Sequence, residues 1–451
     1  ARRRRAGAGP MTGRPGRRAG ATRRVFYGWW MVAGLCVTEL LSWGTLVYTF
    51  GVLVVPMHAE LGWSTAQLNG AYTTGVVVSG LVAVPVGRWL HSRGARGVMT
   101  TGSLLGVAAL LGWAGSESLV TFYATFAVAG LAMAAMLYEP AFAVTATWFH
   151  RQRPRAVLML TIAGGLSSTV FVPLTGVLID SYGWRTTLVI LAVTLAVVTI
   201  PIHAGLLRRW PADLGLASDG RDPATHESGT EDEPPPQGGD HHPRVITRSS
   251  TFRWLTVSMV AHTAGKMAPT VTLVAYLIDR GYPMSQATLA VGGVGLFQVL
   301  GRVLTTALRQ RVPEHRVVGT IYLLQGVALP VSLLTTGHGP AATVSVVVTV
   351  VCFGLGYGLP DLLRGTLLAD YAGSRHFARV NGLMSTYVVA ARAAGPLIAG
   401  FTLTAFSSHG AILIGAALLM LVSAYALHRA VGRPARPPRR PGERITEPVT
   451  V

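Results

Sequence analysis

Twelve apolar runs of roughly 18–25 residues, the length a helix needs to cross a hydrocarbon layer of about 30 Å, dominate this chain. In lipid a backbone must satisfy its own hydrogen bonds, so runs of this length have to be helices. They are predicted near 28–56, 70–90, 98–115, 121–149, 156–179 and 186–207, and again near 254–278, 287–308, 317–334, 341–364, 380–405 and 411–428. The fold class that follows is an all-α membrane protein: twelve transmembrane helices in two six-helix, pseudo-repeated bundles. Composition agrees, with half of the residues hydrophobic and 13% charged, against about 25% charged in a soluble domain.

The formal charge of +19 does not signal nucleic acid, because the arginines sit in the tails and alternate loops. Nine lie between Arg2 and Arg24 and six between Arg429 and Arg444. Others follow the even-numbered helices: Arg93 and Arg96; Arg151, Arg153 and Arg155; Arg208 to Arg253; Arg309, Arg311 and Arg316; Arg375 and Arg379. The opposite loops carry only Arg185 and Arg280. This asymmetry puts both termini in the cytoplasm of a cell whose inner (plasma) membrane holds the protein. The expected domains are a basic tail (1–25), a six-helix bundle (26–207), a cytoplasmic linker (208–250), a second six-helix bundle (251–428) and a basic tail (429–451). The linker contains Glu231-Asp232-Glu233-Pro234-Pro235-Pro236, a composition that cannot bury a core. Thr22-Arg23-Arg24-Val25-Phe26 superficially matches an export signal, but the apolar run behind it is too long for one. Cys36 and Cys352 fall inside apolar runs with no metal-site spacing, and His241-His242 reads as part of the solvated linker. No cofactor or metal is expected.

Charges within the apolar runs carry the functional information. Each costs roughly 2.5–3.5 kcal/mol at mid-bilayer on the milder scale. They are Glu39 in helix 1, Glu139 in helix 4, Lys266 in helix 7, Arg302 in helix 8, Asp361 and Arg364 in helix 10, and Arg392 in helix 11. Facing lipid, seven such groups would cost on the order of 20 kcal/mol, so they must face a cavity or one another. Lys266 is the only lysine among 38 lysines and arginines, and a compact ammonium shifts its protonation readily when buried. His262 lies one turn before it. Two readings stay open. The cations bind a substrate anion while Glu39, Glu139, His262 or Asp361 takes a coupling proton, or the charges neutralise each other as structural pairs.

An internal repeat runs through the chain at an offset near 220. Pro173-Leu174 matches Pro396-Leu397, Gly62 and Gly87 are spaced as Gly281 and Thr306 are, and Glu139 precedes Trp148 as Asp361 precedes Asp370. Tyr27-Gly28-Trp29-Trp30, Leu61-Gly62-Trp63-Ser64, Trp148-Phe149 with Arg151, Arg153 and Arg155, Pro211-Ala212-Asp213-Leu214-Gly215, Asp279-Arg280-Gly281 and Gly301-Arg302 resemble the major facilitator superfamily. The likeness is to its monocarboxylate-transporter-like and oxalate/formate-antiporter-like bacterial branch, over residues 26–428. The resemblance implies the major facilitator fold, and helices 1, 4, 7, 10, 8 and 11 around a central cavity. It also departs in places. The helix 2–3 loop has His91 where the family has an acid. The helix 8 arginine, Arg302, follows Gln298 where proton-coupled carriers have an aspartate. Tyr48 stands where they have a helix 1 lysine. By this resemblance Arg302, Arg392, Tyr48 and Gln298 belong to the substrate site, Arg392 standing for the helix 11 lysine of the oxalate/formate branch, and the buried charge pattern adds Lys266 to them.

The expectation is therefore a secondary transporter of a small organic anion, a monocarboxylate or related carboxylate. It would be proton-coupled or exchanging, work by alternating access, act as a monomer in a lipid bilayer, and not be an enzyme. No nucleotide-binding P-loop is present in the sequence. The alternative is a proton-coupled exporter of drugs or secondary metabolites.

Overall fold

The computed structural model describes residues 26–149, 151–216, 219, 243–308, 311–334, 339–406 and 408–431. The terminal tails, most of the linker and His241-His242 lie outside the described residues. Among those described, nine helical stretches are long and apolar enough to cross a membrane. They comprise α1 (Tyr27–Leu61), α2 (Thr65–Arg93), α3 (Ala95–Ala114), α4 (Leu119–Trp148), the double span Arg153–Leu206, α8 (Met284–Leu308), α10 (Pro340–Tyr357), α11 (Leu383–Phe406) and α12 (His409–Val431). The double span turns at Gly183, where φ is 75° and ψ 164°. This divides it into α5 (153–182) and α6 (184–206). Glycine alone enters that region freely. Two helices with more buried polar groups, α7 (Ser250–Asp279) and α9 (Glu314–Val331), complete twelve.

Helix ends follow local chemistry. Gly62 ends α1 in the left-handed region (φ 67°). Ser64 then caps α2 reciprocally with Gln67, at 3.2 and 2.8 Å. That capping box starts α2 five residues before the predicted 70. The α2–α3 turn, where His91 replaces the expected acid, is held by Arg209 from beyond α6, whose Nη2 donates to His91 O at 3.2 Å. The opening Tyr27 hydroxyl donates to Leu206 O at 2.8 Å, and the Trp148 indole donates to Arg208 O at 3.3 Å. Two of the motifs behind the family resemblance thus tie the ends of α1, α4 and α6 together.

The two halves are arranged alike. In the first, α1 packs on the Arg153–Leu206 hairpin, α2 on α4, and α3 on α4 and α6. In the second, α7 packs on α11 and α12, α8 on α10, and α9 on α12 and α10. Between the halves, α2 meets α11, α5 meets α8, and α1 meets α7. Core composition shows which end is closed. Toward the chain termini, one cluster around Trp148 and Met31 belongs wholly to the first half. Another around Phe252 and Tyr322 belongs wholly to the second. Away from the termini, the clusters mix the halves: Phe50 and Leu68 with Val271 and Ala399, and Val52 and Val172 with Leu273 and Val291. There the Thr73 hydroxyl donates to Ala393 O at 3.1 Å, and Gly400 lies directly against Ala66. The interior therefore opens toward the side bearing the termini and is sealed on the other.

The sealed face of the first half is further braced by Glu60. It accepts from Trp184 Nε1 at 2.6 Å and from Arg185 Nε at 3.0 Å, while Arg185 also reaches Ala114 O at 2.6 Å. Leu81, Val84, Val193, Leu289 and Phe401 point outward as a lipid-facing apolar surface.

Candidate functional site

Three helices lose regularity at the level where the charges lie. α1 widens into a π turn at Gly44–Tyr48. α4 breaks at Leu137, whose ψ is −161°. The helix α10 stops at Tyr357, and Gly358 separates it from the helical segment Leu359–Phe406. The single spans predicted for helices 4 and 10 are thus each two pieces. The cause is a proline two or three residues after each break, Pro140 and Pro360, at the repeat offset of 220. Proline removes a donor and disfavours helix in the residue before it. Each break frees carbonyls that need partners.

The cations of the second half take those carbonyls. Lys266, nearly buried, donates Nζ to Tyr357 O at 3.0 Å and sits 4.7 Å above the Tyr357 ring. Such an arrangement puts an ammonium on the negative end of α10 and on a π face. Thr270 links the same residues, donating to Lys266 O at 2.7 Å and hydrogen-bonded to the Tyr357 hydroxyl at 3.2 Å. Arg302 donates Nε to Gly358 O at 3.4 Å and Nη1 to Thr161 O of α5, in the other half. A Cβ on Gly358 would fall 2.5 Å from that Nε, so any larger residue there would displace the guanidinium. One turn before Arg302, Gln298 donates to Gly165 O and hydrogen-bonds the Tyr48 hydroxyl. Tyr48 in turn lies within electrostatic range of Arg302, Tyr138 and Tyr357. Arg392 on α11 is half-buried and faces Tyr72 of α2. It makes no hydrogen bond or ion pair with the described residues.

The acids belong to the first half. Glu39 is fully buried; its Oε2 accepts from Trp43 Nε1 at 3.0 Å, and its Oε1 has no partner among the described residues. Glu139 faces it electrostatically. Glu139 is exposed, in the first turn after the α4 break, where a helix N-terminus favours a carboxylate. Neither acid forms an ion pair with the described residues. Trp43 packs on Tyr138 at 4.9 Å, and Tyr138 stacks on Phe142 at 5.2 Å. Between the halves, just on the sealed side, Tyr48, Val52, Ser168, Thr270, Phe353 and Tyr357 line part of a cavity of about 380 Å³ including its mouth.

The structure thus gathers Tyr48, Lys266, Gln298 and Arg302 around the α10 break, sets Arg392 opposite Tyr72, and pairs Glu39 with Glu139. His262 is elsewhere. Although one turn from Lys266, its Nε2 is hydrogen-bonded to Gln325 Oε1 at 3.0 Å and its ring lies on Tyr322, both in the peripheral α9. The side chains of Asp361 and Arg364 lie outside the described residues. Sequence reasoning missed Trp43, Tyr138, Thr161, Gly165, Tyr357 and Gly358. The repeated proline breaks were the signal that could have found Tyr138, Tyr357 and Gly358.

The glycine of Gly301-Arg302 sets how closely α8 approaches α10. A Cβ there would fall 1.9 Å from Leu355 O. Gly301→Ala should therefore cost about 1–3 kcal/mol by overpacking, lowering the unfolding midpoint in detergent by roughly 3–8 °C. An unchanged midpoint would show that the two helices yield freely.

Residues 35–387 and 255–450 match the family model of the Major Facilitator Superfamily. Among characterised proteins, the chain is 27% identical to mouse (Mus musculus) monocarboxylate transporter 4 over 430 residues, covering 90% of this chain and 81% of that one. It is 24% identical to rat (Rattus norvegicus) monocarboxylate transporter 3, covering 89% and 81%. The match to bovine (Bos taurus) monocarboxylate transporter 13, at 25% identity, spans 64% of this chain and 62% of that protein. Among solved structures, a bacterial homolog of the human lysosomal transporter Spinster, inward-facing and unoccupied, superposes with a TM-score of 0.66 at 13% identity, over 90% of this chain and 96% of that one. A multi-pass membrane chain, a transporter rather than an enzyme, it belongs to the Major Facilitator Superfamily.

Proposed function

We propose that this protein carries a small organic anion, a monocarboxylate or related carboxylate, across the plasma membrane by alternating access, with proton coupling or exchange. One observation carries the reading. The mid-span cations Lys266, Arg302 and Arg392 all lie in the second half, and Arg392 is unspent among the described residues, whereas the acids Glu39 and Glu139 lie in the first half and form no ion pair with the described residues. A cavity with an idle arginine accommodates an anion, since guanidinium and carboxylate form two parallel charge-assisted bonds. The similarity to monocarboxylate transporters supports the same substrate class. In this reading Lys266 and Arg302 line the anion path, Tyr48 and Gln298 shape it, and Glu39 with Glu139 exchanges the proton.

The arginine-rich tails and even loops favour cytoplasmic termini, which makes the open side cytoplasmic and the conformation inward-facing. Residues 26–207 and 251–428 are then two bundles that rock about the site, joined by the cytoplasmic segment 208–250, in a monomer. Reporter fusions at residue 230 and at the C-terminus should both read as cytoplasmic. A periplasmic signal at either position would overturn this topology.

A second reading has its own support. The Trp43–Tyr138–Phe142 stack beside exposed Glu139 suits an amphipathic cation, as in proton-driven export of drugs or secondary metabolites. Uptake and efflux in proteoliposomes, with a carboxylate panel and a panel of lipophilic cations under an imposed pH gradient, separates the two. Carboxylate flux alone supports the proposal, and cation flux alone replaces it.

A further inference from the structure

Where α7 begins and α12 ends, on the side bearing the termini, a basic and aromatic corner faces the surroundings. Arg429 of α12 lies over two rings, 5.7 Å from that of Trp254 and 5.8 Å from that of Tyr425. The rings meet edge-on, with centroids 5.9 Å apart. Tyr425 is 55% exposed. Arg253 precedes Trp254 and His428 precedes Arg429, and both are exposed. His428 is also within electrostatic range of His315, itself beside Arg316, at the start of α9. Among the described residues of these three helix ends the one acid is Glu314, and it is buried.

The donors of this corner are unspent. The Trp254 indole, the Tyr425 hydroxyl and the Arg429 guanidinium make no hydrogen bond or ion pair with the described residues. The matching corner of the first half, where α1 begins and α6 ends, spends its groups internally. There Tyr27 donates to Leu206 O, and Arg208 Nη1 donates to Gly205 O and Leu207 O. A guanidinium held by π faces still presents its N–H edge, which a phosphate accepts with two parallel charge-assisted bonds. From the corner toward mid-membrane the surface is apolar. Ser258 donates to Ser423 O at 2.9 Å and Ser423 donates to Ser258 O at 2.8 Å. This register sets α7 antiparallel to α12, with Val257 beside Val422. Both valines are exposed, as is Leu418 one turn further along α12. A free anion would fill only the corner, whereas an anion carrying acyl chains fits the corner and the strip together.

We propose that this corner is a binding site for an anionic phospholipid: Arg429, the Trp254 indole and the Tyr425 hydroxyl hold the phosphodiester, and the acyl chains lie along Val257, Val422 and Leu418. A lipid so placed bridges the first turns of α7 and the last turns of α12 and holds the two helices together. Neither the substrate nor the direction of transport enters this inference.

Native mass spectrometry of the full-length chain, released from micelles holding phosphatidylglycerol, phosphatidylcholine or both, measures the lipid retained. Phosphatidylglycerol should bind about tenfold more tightly than phosphatidylcholine. Arg429→Gln should weaken phosphatidylglycerol about tenfold, the worth of one charge-assisted bond. Trp254→Phe keeps an aromatic ring and loses the N–H, and should weaken it about fivefold. Arg96→Gln removes the same charge from the exposed start of α3 on the same side, and should change the affinity by less than about twofold. Phosphatidylglycerol should also raise the unfolding midpoint of the parent and of Arg96→Gln, and leave that of Arg429→Gln unmoved. Equal losses in Arg429→Gln and Arg96→Gln would reduce the effect to general surface charge and overturn the site. Full affinity in both Arg429→Gln and Trp254→Phe, or no preference for phosphatidylglycerol, overturns it as well. Displacement of the lipid by inorganic phosphate overturns the lipid and leaves a site for a free anion.

Discussion

Arg392→Gln should reduce carboxylate transport in proteoliposomes about a hundredfold, with an elution profile and unfolding midpoint close to the parent. Loss of one partner of a desolvated charge pair typically costs 2–5 kcal/mol, and each 1.4 kcal/mol is a factor of ten. The expected stability effect is small for a different reason: Arg392 makes no hydrogen bond or ion pair with the described residues, so its removal leaves none of them orphaned. Arg392→Lys keeps the charge but loses the planar fork, and should retain roughly a tenth of the activity, with the loss mostly in KM. Tyr72→Phe separates the neighbouring hydroxyl from the cation; it should matter far less if the anion binds the guanidinium directly. Wild-type KM and kcat in Arg392→Gln would remove this residue from the site and, with it, the observation on which the substrate class rests.

How much of this was legible from sequence depends on the physics involved. Span number and pairing follow from hydrophobic length and the arginine pattern, which depend on local composition. Even α7 and α9, whose buried Lys266, His262 and Gln325 dilute their hydropathy, lie within a few residues of the spans that the apolar runs predict. The boundaries at 61–65 and at the α4 and α10 breaks were harder, because capping and proline effects act over two or three residues. Within the site, sequence gives the inventory of charges but not their direction. Helical spacing puts His262 and Lys266 on one side of α7, yet their long side chains diverge, one to α9 and the other to the α10 break. Structural pairing of Lys266 with Glu39 or Glu139 was a fair alternative on sequence. The backbone carbonyls freed by the break now take the ammonium, and no periodicity in side chains announces a carbonyl as a partner. The same holds for Thr161 and Gly165, which act through their backbones.

Glu39→Gln should abolish proton-driven accumulation, by about tenfold or more at a gradient of one pH unit, while anion exchange at equal pH stays within about twofold of the parent. The argument starts from burial. Glu39 is fully enclosed, with one oxygen on the Trp43 indole and the other without a donor among the described residues, and none of Lys266, Arg302 and Arg392 forms an ion pair with it. An ionised carboxylate held in that way is expensive, because desolvation is offset by one hydrogen bond only. A glutamine has the same shape, still accepts from Trp43, and cannot ionise. It should therefore fold normally and fix the site in its uncharged form. The groups that face Glu39 are Glu139 and Cys36. Glu139, exposed at the first turn after the α4 break, is the group through which a proton could pass between Glu39 and the open cavity. Glu139→Gln should then slow proton-driven uptake without removing it, and the double variant should resemble Glu39→Gln. The sign with pH follows: the parent's net uptake rises as the pH falls on the side from which substrate is taken, and Glu39→Gln is flat across the same range. Retained, pH-dependent accumulation in Glu39→Gln would move the proton site elsewhere, with Asp361 of the second half as the remaining acid at the corresponding repeat position.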